Sequence, residues 1–277
     1  MADRRTAADL TDTRRARWPA RVGHYLWSGW TGAASVLLLV AAWDALARQL
    51  GPLVLPTPQE TLASLTQILR SPAAWLDLGA TARRALYGYG LSVLAGAVLG
   101  MAAGASIPAT MMARPLVTLL IGMPPIAWLV LALLWFGSGD ATPVFTVFVA
   151  CFPIIFVGAL QGTRTLDGRL RELPQAYRLP LTQRFADVYL PHIASYLFAA
   201  CITALGVSWK VVLMAELLAT SDGAGAQLAA TRSHLDMGGT LAWVSAVVGL
   251  LLAAEYLLLE PIRREMERWR GDGGGAA

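Results

Sequence analysis

Charge is scarce in this sequence: Asp, Glu, Lys and Arg make up 14% of its 277 residues, where a soluble domain carries roughly a quarter. That shortage excludes an ordinary water-soluble fold. Lysine is scarcer still, with Lys210 alone among 22 basic residues. The arginines crowd at the chain ends and in one central loop, so the net charge of +4 belongs to loops. Basic loops are a topology signal rather than a nucleic-acid face, and no nucleic-acid partner is expected. The two cysteines, Cys151 and Cys201, fall inside apolar runs, which leaves them packing roles and excludes a disulfide framework. No Gly-x4-Gly-Lys-Ser/Thr stretch cradles a phosphate, so this chain is expected to bind no ATP. No carboxylate pair, metal-ligand cluster or nucleophile–base set recurs. The sequence therefore assigns no catalytic residue, no metal site and no cofactor, and a polytopic membrane enzyme is disfavoured. No internal repeat argues for a transporter built from inverted halves.

Apolar length is what the chain has in plenty. Hydrophobic residues make up 56% of it, gathered into runs of about 20 residues, the length that crosses a hydrocarbon core as a helix. The fold class is all-α integral membrane, with about six transmembrane helices and a lipid bilayer as surroundings. Residues 1–26 form an N-terminal segment, 27–262 the membrane domain and 263–277 a basic tail. Spans are expected at 27–46, 82–105, 112–136, 143–162, 191–219 and 240–259, with a loop at 163–190. Trp27, Trp30 and Trp43 suit interfacial positions in the first span. After Pro56 and Pro58, a short amphipathic helix too polar to span begins at Thr57. Gly96, Gly100 and Gly104 make a small-xxx-small ladder in the second span. Gly122-Met123-Pro124-Pro125 interrupts the third, because proline removes a backbone donor and clashes with the preceding turn.

Orientation follows from counting arginines. With the N-terminus inside, the segments 1–26, 106–114, 163–190 and 263–277 carry 6, 1, 5 and 4 of them. The opposite side carries Arg48, Arg70 and Arg232, with Arg83 and Arg84 at an outer helix end. Both termini are expected in the cytoplasm, without a cleaved signal peptide.

The segment DGRLRELPQAYRLPLTQRFADVYLPHIASYLF is far longer than a connection between spans four and five needs. An exposed helix at about 169–177, a turn at Leu179-Pro180 and a second amphipathic stretch suit docking into a partner's groove. It resembles the "EAA" coupling motif of ABC-importer permeases. Aligned on Leu190-Pro191, Glu172 falls at the motif's Glu, Leu173 and Pro174 at its two Ala positions, and Val188 at its Ile. Arg178 stands where Gly is usual, and with Pro174 marks a divergent loop. Three more stretches carry the resemblance in order: LPTPQETLASL, PLVTLLIGMPPIAWLVLALLWFGSGD and VSWKVVLMAELLATSDGAGAQL. Over about residues 27–265 the chain is similar to the nitrate/sulfonate/taurine group of type I importer permeases.

That resemblance implies a type I permease fold in a bacterial cytoplasmic (inner) membrane. It implies a homodimer of permeases, two ABC ATPase subunits that hold ATP and Mg, and an extracytoplasmic solute-binding protein. Coupling to the ATPase falls to Glu172, Gln175, Ala176, Arg178, Leu190 and Pro191. Candidates for the translocation path or gate are Met123, Pro124, Pro125, Trp128, Lys210, Glu216, Ser221 and Gly223. Ionisable groups at membrane depth face a cavity or a partner charge. Six residues apart, Lys210 and Glu216 point about 240° from each other on a regular helix. Lys210 would favour an anionic solute, pair with a carboxylate such as Glu255 or Asp44, or snorkel to the interface. Glu216, typical at its position in related permeases, implies a structural or gating role. Met123-Pro124-Pro125 and Trp128 would line the path, or merely kink a packing helix; a membrane scaffold without transport gives the break no purpose. Ser221-Asp222-Gly223-Ala224-Gly225 resembles the family's Ser-x-Gly-x-Gly element and fits a gate or a re-entrant turn.

Overall fold

Among the described residues every regular element is a helix. The computed structural model describes residues 17–165 and 190–259, with side chains over 34–165 and 191–257. It divides into two units, Met1–Leu62 and Ala63–Ala277.

In the first unit, α1 (Arg17–Leu50) is one 34-residue helix containing the expected span 27–46. It stops at Gly51, whose φ of +82° turns the chain. The Trp43 indole donates to the Pro56 carbonyl at 3.0 Å and fixes the return of the chain. Thr57 and Glu60 then open α2 (Pro58–Arg70), which begins in this unit and continues past Leu62 into the second. The Thr57 hydroxyl accepts from the Glu60 amide, and the Glu60 carboxylate accepts from the Thr57 amide. This reciprocal cap, followed by proline in the first turn, is why the helix begins there.

The second unit holds α3 (Pro72–Gly104), α4 (Ile107–Gly122), α5 (Pro125–Phe136), α6 (Ala141–Arg164), α7 (Leu190–Ala219), α8 (Ala224–Ser233) and α9 (Met237–Ala254). A π-helical turn, Glu255–Leu259, extends α9. Four of these helices are long and apolar enough to cross a membrane: α3, α6, α7 from Pro191, and α9 with its extension to Leu257. The pair α4 and α5 would supply a further crossing, but it is bent by 91°. The third span is thus two helices rather than one, because Pro124 and Pro125 give the second a fresh N-terminus while Met123 and Pro124 stay extended. The helix that carries the second span begins ten residues before the expected span, at Pro72. Arg83 and Arg84 do not open it; their charges are neutralised within the fold.

The core is three helices deep, with α6 packed between α3 and α7. The glycine ladder makes the first contact possible. A Cβ on Gly100 would meet the Phe156 carbonyl and stand 2.8 Å from Ala159 Cβ, so only glycine allows this approach. Ser92 Oγ bridges the two backbones, 2.8 Å from the Gly88 carbonyl and 3.0 Å from that of Phe148. Across the second contact, Cys151 Sγ lies 3.3 Å from the Ala204 carbonyl and Gly158 faces Ala200. Both cysteines are free, in the packing role read from the sequence. This packing leaves the start of α3, the α5–α6 turn and the end of α7 together at one end of the unit. At the other end lie the last turns of α3 and α6, where Gly104 meets Thr163.

Candidate functional site

Arg84 lies in α3 with its side chain 2% exposed, and Glu216, near the end of α7, is 0% exposed. Removing two such ions from solvent costs several kcal/mol each unless every polar atom is matched. Here each is matched. Arg84 Nη1 donates to Glu216 Oε1 at 2.8 Å and to the Asp222 carbonyl at 3.0 Å. Its Nη2 donates to Asp222 Oδ1 at 2.7 Å, and its Nε to Asp140 Oδ1 at 2.7 Å. The other Glu216 oxygen, Oε2, accepts from Thr81 Oγ1 at 2.7 Å and from the Gly225 amide at 3.0 Å. The planar guanidinium fork suits several acceptors at once, which a lysine ammonium could not reproduce.

The network fastens three chain segments together. Asp140 stands at the start of α6, after a turn in which Gly137 and Gly139 take positive φ. The Gly139 amide donates to the Ala219 carbonyl at 3.0 Å, seating that turn on the end of α7. Asp222 and Gly223 form the turn between α7 and α8. One turn before Thr81, Asp77 accepts from the Gly223 amide and from Gln227 Nε2, both at 2.9 Å. Gly223 is irreplaceable on two counts. Its φ is +97°, and a Cβ there would stand 2.7 Å from Glu216 Oε1 and 2.8 Å from Arg84 Nη1. Within the turn at 220–223, Ser221 is exposed and Gly223 buried.

Above the pair is an open depression of about 430 Å³. Arg83, Ser138, Asp140, Thr220, Ser221 and Asp222 line it. Its rim carboxylates are half exposed, Asp140 at 52% and Asp222 at 57%, whereas the pair beneath is closed to solvent.

Against this geometry stand the relatives. Residues 73–264 match the family described as binding-protein-dependent transport system inner membrane component. The chain belongs to that family: it is the permease subunit of an ABC importer. The permease is 27% identical over 246 residues to the taurine transport system permease protein TauC of Escherichia coli (strain K12), covering 87% of this chain and 89% of that one. It is 25% identical over 252 residues to the putative aliphatic sulfonates transport permease protein SsuC of Bacillus subtilis (strain 168), covering 89% and 90%. Against the nitrate import permease protein NrtB of Leptolyngbya laminosa the identity is 24% over 233 residues, covering 79% and 83%.

The remaining predicted residues of the permease do not gather at the buried pair. Lys210 points away from it, exposed on α7, with no ion pair among the described residues. Neither Glu216 nor Glu255 holds it, and Asp44 is taken by Arg48 at 2.8 Å. At the break, Met123 is half-buried while Pro124 and Pro125 are exposed. Trp128 follows in α5, its buried indole N–H without an acceptor among the described residues. Next to it Leu129 packs on Ala215 and Ala219, close in sequence to Glu216. Of the coupling residues, Glu172, Gln175, Ala176 and Arg178 lie outside the described residues. Leu190 and Pro191 form the first turn of α7. There His192 Nε2 sits 3.2 Å from Thr165 Oγ1, which draws the two ends of the loop together.

Proposed function

We propose that the permease forms the path for a small anionic solute of the sulfonate or nitrate kind. A binding protein delivers the solute outside, and ATP, hydrolysed with Mg on a separate subunit, drives it inward. The observation that carries the anionic reading is Lys210. It is the chain's single lysine, exposed on a membrane-crossing helix with no partner among the described residues. An unpaired cation is costly against lipid, so its face of α7 belongs beside water or solute. Relatives named for taurine, aliphatic sulfonates and nitrate point to the same chemistry.

Two copies of the permease pair around the path, with both termini in the cytoplasm. The break at Met123, Pro124 and Pro125, with Trp128, forms part of the wall, since irregular backbone at membrane depth is tolerated only against protein or water. The Arg84–Glu216 network, with Ser221 and Gly223, holds the outer end as one body. The loop at 163–190, through Glu172, Gln175, Ala176 and Arg178 with Leu190 and Pro191 at its exit, passes ATPase closure to the helices as a lever. The chain itself contributes no ATPase site and binds no cofactor.

Calorimetry on the cognate binding protein tests the anionic reading. Tight binding of a sulfonate, sulfate-like or nitrate-like anion is expected; exclusive binding of a neutral or cationic solute overturns it.

A further inference from the structure

Two arginines at the opposite end of the unit lack the partners that Arg48, Arg83 and Arg84 have. Arg114 in α4 and Arg164 in the last turn of α6 are both exposed, and neither has a carboxylate within ion-pair distance among the described residues. They line one groove of about 460 Å³ between α4 and α6. The rest of its wall is mainly apolar, from Val117 and Ile121 on one helix to Phe156 and Leu160 on the other. Gln161 adds an exposed amide to the lining, and Thr118 turns its hydroxyl proton to the Arg114 carbonyl at 2.9 Å.

We propose that this groove holds an anionic phospholipid, its headgroup phosphate between Arg114 and Arg164 and the start of one acyl chain along Val117, Ile121, Phe156 and Leu160. Charge complementarity selects the headgroup. Two guanidinium groups on adjacent helices, without an ion pair among the described residues, present planar donor forks to phosphate oxygens. The apolar wall selects a lipid over a free anion, for inorganic phosphate would leave that wall uncovered. Basic pockets between membrane helices are where anionic headgroups bind. The same end carries the roots of the 163–190 loop at Arg164 and Leu190, so an occupied groove would brace α4 against α6 beside that loop. The inference depends on the helices crossing a membrane and is independent of which solute is carried.

Native mass spectrometry of the full purified permease tests it, with phosphatidylglycerol and phosphatidylcholine as the probes. Phosphatidylglycerol is expected to be retained over phosphatidylcholine. The double variant R114Q/R164Q should lose that preference by roughly 30-fold, each basic residue near an anionic headgroup being worth about 1 kcal/mol. R114K/R164K should recover a large part of it, and R232Q should leave it unchanged; both controls also report on folding. Equal retention of the two lipids overturns the proposal, as does an unchanged preference in R114Q/R164Q. Displacement of the lipid by inorganic phosphate would mark a free-anion site instead. Loss of dimer without loss of lipid preference would mark a face between two copies. Either result also overturns it.

Discussion

Arg84 and Glu216 are 132 positions apart in the chain and 2.8 Å apart in space, both closed to solvent. Removing Arg84 strands Glu216 as a buried, uncompensated charge, a loss of about 3–5 kcal/mol, whereas removing Glu216 leaves Arg84 its contacts with Asp140 and Asp222 and costs less. Arg84→Met is expected to lower the thermal midpoint of the purified permease markedly, and Glu216→Ala to lower it by less. The double variant should lose less than the sum, because the stranded charge is gone. Strictly additive losses would show that the pair is not coupled.

Gly223 provides a second test of the same turn. Gly223→Ala forces a side chain into a φ of +97° and against Glu216 and Arg84, a strain of about 1–3 kcal/mol before any clash. Gly90→Ala, where a Cβ meets nothing within 4 Å, serves as the control and should be neutral or slightly stabilising. Equal melting of the two variants would mean that the turn relaxes freely.

The helices were legible in the sequence because their cause is local. Apolar length, the Pro124-Pro125 break and the helix start beside Thr57 have causes within one or two turns, and each recurs in the structure close to its expected place. The glycine ladder was legible too, since close approach needs small residues at a spacing of four. Arg84 was not. As one of two adjacent arginines it reads as a topology charge, and its partners Asp140, Glu216 and Asp222 come from other segments that only the fold brings near. A signal did exist in the balance of charge: an arginine inside an otherwise apolar span needs an acid, and few acids lie in or beside the spans. The start of α3 at Pro72 was missed for the same reason, because two charges look like a helix boundary until their counterions are known.

Lys210 separates solute recognition from structure. Lys210→Met should leave the melting temperature nearly unchanged, since the side chain has no ion pair among the described residues to lose. Uptake of an anionic solute is expected to fall about tenfold, the weight of one charge-assisted contact of about 1.5 kcal/mol. Lys210→Arg should keep most of the activity. Full uptake in the methionine variant would remove Lys210 from the path.

Coupling is tested at Glu172. Glu172→Lys reverses the charge at one position of the 163–190 loop without touching a span, so insertion and dimer formation should be normal. Stimulation of the partner ATPase by loaded binding protein should be lost. Unimpaired stimulation would place the docking contact elsewhere in 163–190.

ATP-driven accumulation of a labelled anion in proteoliposomes tests the central claim most directly. The vesicles hold the permease with its ATPase, and the binding protein is added on the side opposite to ATP. Accumulation against a gradient that needs ATP, the ATPase and the loaded binding protein together is the predicted result. Uptake by the permease alone, indifferent to ATP and to the binding protein, would contradict it.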